Sequence, residues 1–92
     1  MTKPLYKRSK EAIFAEVADD IVALHVERGQ SYGMEKVTAA VWRLLADPTD
    51  VESICAELTS LYEVEPDTCQ AEVARLIAQF EKEGLVEKVA SA

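Results

Sequence analysis

At 92 residues the chain is sized for one domain with one modest core. Its composition, 49 % hydrophobic and 29 % charged, is that of a folded protein, and no apolar run reaches the ~18–20 residues that cross a bilayer. The net charge of −7 divides unevenly: Lys3, Lys7, Arg8 and Lys10 make the first ten residues basic, leaving 6 basic against 17 acidic side chains on the remainder. That acidic body repels phosphate backbones and argues against a nucleic-acid partner.

In chain order, "MTKPLYKRSK" is basic but no apolar segment follows it, so it does not read as a secretion signal, and the expected compartment is the cytoplasm. Residues 1–10 are expected to form a basic flexible tail, 11–88 the folded domain and 89–92 a disordered C-terminus. "AIFAEV" (12–17) is rich in strand formers, and Asp19-Asp20 marks a turn. In "IVALHVE" (21–27), Val22, Leu24 and Val26 alternate with Ala23, His25 and Glu27, the period of a half-buried strand. This phase places His25 opposite Val22 and Leu24, on the solvated side. After Glu27-Arg28-Gly29-Gln30, Ser31 to Met34 return as a short third strand, completing an antiparallel meander.

From residue 35 the period becomes helical. Val37, Ala40, Val41, Leu44 and Leu45 share one face of a first helix that stops before Pro48, and Glu35 is a poor cap for it. Thr49 and Glu52 fit a capping box for a second helix carrying Val51, Ile54, Cys55, Leu58, Leu61 and Tyr62. Pro66 bars helix at Glu65, and Asp67, supported by Gln70, is the expected cap of a third helix with Val73, Leu76, Ile77 and Phe80 on its apolar stripe. Gly84 suits the position just past that helix, with Leu85-Val86 folding back. The order βββααα predicts an α+β, two-layer domain with the inventory of a winged helix-turn-helix.

That inventory raises DNA binding, but the third helix carries Asp67, Glu72, Glu81 and Glu83 against Arg75 and Lys82. Reading DNA through it would need cations on phosphates that this surface lacks. No nucleophile, phosphate-loop or zinc-ligand spacing is present, so no enzyme, metal or cofactor is expected. Cys55 and Cys69 sit inside helical patterns and read as buried small hydrophobes. A binding module remains. A short third strand at a sheet edge, without Pro or charge before Glu35, offers its main chain to an extended peptide, and Gly33 would admit a second backbone. The same edge can pair with itself, leaving a dimer open.

Tyr32-Gly33-Met34 entering a helix with Trp42 and Leu44-Leu45, then "TDVESI", then a third helix ending in "EGLV", resembles the PqqD-like proteins over roughly residues 11–87. These are the precursor-peptide recognition elements of ribosomally made, post-translationally modified peptides. Glu35 departs from the Asn or Asp that the family often has at the helix cap. The resemblance implies a winged-helix-like fold that binds no DNA and holds a leader peptide as an added antiparallel strand. Carried onto this chain, the strand is Gln30, Ser31, Tyr32, Gly33 and Met34. The groove wall is Val73, Leu76, Ile77 and Phe80, with Arg75 and Gln79 on its polar side and Trp42 in the core. The implied partners are a precursor leader peptide and a modifying enzyme. "YEVEPDTCQAEV" resembles members that serve a lasso-peptide leader peptidase, the alternative being a radical S-adenosylmethionine enzyme in pyrroloquinoline quinone assembly. The acidic body further suggests a partner with positive charge.

Overall fold

The computed structural model describes residues 4–89. Its elements are β1 (Leu5–Arg8), β2 (Ala12–Val17), β3 (Asp20–His25), β4 (Ser31–Met34), α1 (Lys36–Leu44), α2 (Val51–Leu61), α3 (Pro66–Lys82) and β5 (Val86–Val89). The expected meander is β2-β3-β4, antiparallel, with β2 and β4 at its edges. Helices follow it as the sequence predicts, so the α+β architecture stands.

Two strands were not expected. Leu5–Arg8, inside the supposed flexible tail, pairs antiparallel with Val86–Val89, and Tyr6 bridges to Thr49 through N–H···O bonds of 2.7 and 2.9 Å. The tail's charge hid its role. Arg8 donates from Nε to the Trp42 carbonyl (2.9 Å) and from Nη2 to the Arg43 carbonyl (3.1 Å), and its backbone N–H bonds the Leu45 carbonyl. Its guanidinium also lies 4.5 Å from the Phe14 ring centroid. A cation thus adds side-chain donors to carbonyls at the end of α1 that otherwise accept only the Leu45 and Ala46 N–H groups at 3.2 and 3.3 Å, in the place where the helix dipole favours positive charge. Val89, assigned to a disordered terminus, is in β5; residues 90–92 lie outside the described residues, as do 1–3.

The core gathers on the helix side of the sheet around Trp42, fully buried and edge-on to Phe14 and Phe80 with centroids 5.7 Å away in each case. Ile21, Ala23 and Met34 contribute from the sheet, and Ile54, Leu58, Val73, Ile77 and Leu85 from α2, α3 and the segment after it. The inward face of β3 is therefore Ile21, Ala23 and His25, the reverse of the expected phase. The strand is apolar on both sides, so alternation alone could not say which side the helices cover. His25 is buried rather than solvated. Its Nδ1 accepts the Arg28 N–H at 3.2 Å, and its ring stands against Gly84.

Caps also shifted. Thr49 is engaged with Tyr6, so Asp50 caps α2, accepting the Ser53 N–H at 2.7 Å. At α3 the expected cap Asp67 lies in the first turn. Pro66 starts the helix from its preset φ, with Glu65 at the cap position making no side-chain cap bond. Leu61 is exposed and Tyr62 only partly covered, because α2 ends at the surface there.

Candidate functional site

The strand-to-helix junction 34–37 brings the chain from the β4 edge onto the helical layer without a linker. Glu35 is extended and Lys36 takes a left-handed φ of 52°, so one residue turns the chain. The reversal leaves Val37, Thr38 and Val41 beside the C-terminal part of α2 and the outer side of α3. Between them runs an apolar groove of about 530 Å³. Leu58, Tyr62, Val64, Cys69, Val73 and Leu76 form its apolar lining, with Thr68, Glu72, Arg75 and Gln79 along its polar side.

The groove connects to the sheet edge through a hydrogen-bonded chain. Gln79 Nε2 donates to Glu83 Oε1 at 2.8 Å, and the Tyr32 hydroxyl lies 2.5 Å from Glu83 Oε2 and 2.7 Å from Gln30 Oε1. Donation to the Glu83 carboxylate, then burial, hold the Tyr32 phenol above its ordinary pKa. Arg75 is paired with Glu72 one turn away, so the polar rim is internally compensated.

The predicted site residues divide accordingly. Leu76, Arg75, Gln79 and Val73 line the groove together. Gln30, Ser31 and Gly33 are exposed on or beside β4, and Tyr32 is half-buried at the edge. Met34, Ile77 and Phe80 are instead 2–5 % exposed and belong to the core, as does the inner part of Val73. An i, i+3, i+4 stripe cannot separate core from groove when one helix lines both. Within this chain the space around Gly33 is open. A Cβ there would meet nothing within 4 Å, and its register opposite Val22 puts it on the side of the sheet away from the helices. Among the groove residues missed were Val37, Tyr62 and Val64. Val37 and Tyr62 were read as helix core, and Val64 as part of a helix break. Their apolar character at otherwise surface-leaning positions was the available signal. Cys55 and Cys69 are both buried at the groove's floor, and burial, with the neighbouring Cys69 thiol second, pushes the Cys55 thiol up to about 12.

Among the described residues the site joins an open strand edge, an apolar groove and a few polar groups between them. The chain belongs to the family described as coenzyme PQQ synthesis protein D (PqqD), whose model matches residues 20–86. Among solved structures it is similar to TbiB1 in complex with the TbiA(beta) leader peptide, at 25 % identity over 91 % of this chain and 98 % of that one, TM-score 0.84. It shares its fold with lasso peptide synthetase B1 complexed with the leader peptide, at 22 % identity over 89 % and 96 % of the two chains, TM-score 0.80. No curated protein matches it.

Proposed function

We infer that this protein is a non-catalytic adaptor that captures the leader of a ribosomal precursor peptide and hands it to a modifying enzyme. The observation that carries the reading is the open β4 edge joined, through Tyr32, Glu83 and Gln79, to an apolar groove along α3. A leader strand bonds to the main chain of Gln30 to Met34 and sets apolar side chains against Val37, Val64, Leu76 and Tyr62. Ordering a disordered leader costs roughly 2–5 kcal/mol. Strand hydrogen bonds and two or three filled pockets leave a Kd near ~1 μM, about −8 kcal/mol, enough to capture and still release. Likeness to two leader-bound lasso B1 structures favours a leader peptidase as the recipient, over a radical S-adenosylmethionine enzyme of quinone assembly.

The test is an amide NMR titration with the leader encoded by the precursor gene beside this chain's own, and in parallel with duplex DNA. Shifts on residues 30–34 and on the groove side of α3 with peptide alone are expected. Leu76→Asp and Val64→Asp, on separate elements, each weaken leader binding by about tenfold or more. Shifts on α3 with DNA and none with peptide reject the adaptor.

A further inference from the structure

The chain has two cysteines, and the fold makes them neighbours across two helices. Cys55 lies midway along α2 and Cys69 at the start of α3, 5 and 6 % exposed within one apolar cluster that includes Leu58 and Val73. The Cys69 thiol is, after burial, the influence felt most strongly at Cys55. Both are free thiols.

Access separates the two. Cys69 belongs to the groove lining, beside Thr68 and Val73, so a reagent narrow enough to enter the groove meets Cys69 first. The chain's net charge of −7 favours a cationic reagent over an anionic one. Burial holds the proton on Cys55, so its thiolate, the form that attacks disulfides, is scarce at neutral pH.

We propose that Cys69 is a thiol-modification site in the groove and that Cys55 resolves it, so that a small aliphatic disulfide converts the pair into an α2–α3 disulfide and weakens leader capture. The last clause rests on the adaptor reading above.

The Cys69 thiolate attacks one sulfur of the reagent R–S–S–R. An Sγ–S bond forms, the reagent's S–S bond breaks, and the leaving RS⁻ takes up the proton that Cys69 gave. Cys55 then gives up its own proton and attacks Cys69 Sγ, forming the Sγ–Sγ bond and releasing the second RSH. Two thiols are oxidised and one disulfide is reduced. Capping Cys69 removes the thiolate charge that helps hold the Cys55 proton, which eases the second step. A disulfide sets its sulfurs ~2.05 Å apart, closer than two thiols in contact. A close-packed interior passes that shift on to Leu58 and Val73, which line the groove from α2 and α3. In reducing surroundings the pair stays as thiols and the groove keeps its shape.

The test treats the folded full chain with cystamine, a small cationic disulfide. It follows intact mass, peptide maps and the anisotropy of the labelled leader from the neighbouring precursor gene. Wild-type chain is expected to lose two hydrogens as a monomer, to regain them with dithiothreitol, and to bind leader about fivefold or more weaker while oxidised. Cys55→Ala stops at one cysteamine adduct on Cys69, and saturating leader slows that adduct; emission of the single tryptophan, Trp42, checks that the variant is folded. Wild-type chain that stays unmodified overturns the proposal, as does one that halts at the adduct, carries it on Cys55 or forms a disulfide-linked dimer. An oxidised monomer with unchanged leader Kd overturns it equally. Reduced chain that binds no leader defeats the adaptor reading itself, and the regulatory part of the proposal with it, whatever the masses show.

Discussion

Gly84 is the residue on which the most geometry converges. Its φ of 76° closes α3 in a Schellman turn, with Leu85 N–H bonded to the Phe80 carbonyl (2.9 Å) and Gly84 N–H to the Glu81 carbonyl (3.0 Å). A Cβ there would fall 2.8 Å from the buried His25 ring. Left-handed strain and that clash add, so Gly84→Ala destabilises the fold by about 2–3 kcal/mol, measured as a lower urea midpoint. Gly33 is the opposite case. With open space around its missing Cβ, Gly33→Ala leaves both the fold and leader affinity within about 0.5 kcal/mol. A large loss of leader binding in that variant would mean that the ligand's backbone approaches the outer face. Of the two glycines, the sequence distinguishes only the first, because a helix stop announces itself locally whereas the face of a strand residue does not.

The elements were legible where a local signal dictated them. The meander, the three helices and the α3 stop follow from period, turn chemistry and Gly84. Pairing of β1 with β5 was not, because a four-residue strand with two charges declares itself only through a partner some 80 positions away. Nor was the division of α3 between core and groove, which depends on where α1 lands after the Lys36 reversal. Both gaps yield tests. Arg8→Ala removes the carbonyl bonds at the end of α1 and the contact with Phe14 together, and is expected to cost about 2 kcal/mol. Arg8→Lys recovers only part of it, since an ammonium cannot span both carbonyls while lying over the ring. At the β2–β3 turn, Val17 pairs with Asp20 and Ala18 has a φ of 58°, a position where glycine is preferred. Ala18→Gly stabilises the hairpin by about 0.5–1 kcal/mol if relief of strain outweighs glycine's unfolded-state entropy. A lower thermal midpoint would show that it does not.

For the molecule as a whole, the groups that knit α2 to α3 and β4 to α3 make folding sensitive to alkali. The Cys55 thiol is raised from 9.0 to about 12, first by burial and then by the neighbouring Cys69 thiol; the Tyr32 phenol is raised above 10.0, first by Glu83. Both acids are neutral when protonated, and folding strengthens their hold on the proton. Their stabilising contribution is therefore complete below the unfolded pKa values and lost as pH rises toward the folded ones. The window opens near pH 9 with Cys55 and continues to about 12. Trp42, the single tryptophan and wholly buried, reports unfolding by its emission. Urea midpoints read this way are expected to hold steady to about pH 8.5 and to fall by pH ~10.5, with a smaller fall in Cys55→Ala and in Tyr32→Phe. Tyr32→Phe carries a second readout, because it severs the sheet edge from Glu83. If the edge and the groove act as one site, that variant also loses leader affinity at neutral pH, where the phenol is protonated and ionisation plays no part. Cys55→Ala, which leaves the β4 edge untouched, shares the altered alkaline profile but keeps wild-type affinity. Equal affinities in all three proteins would mean that the strand edge and the groove work independently.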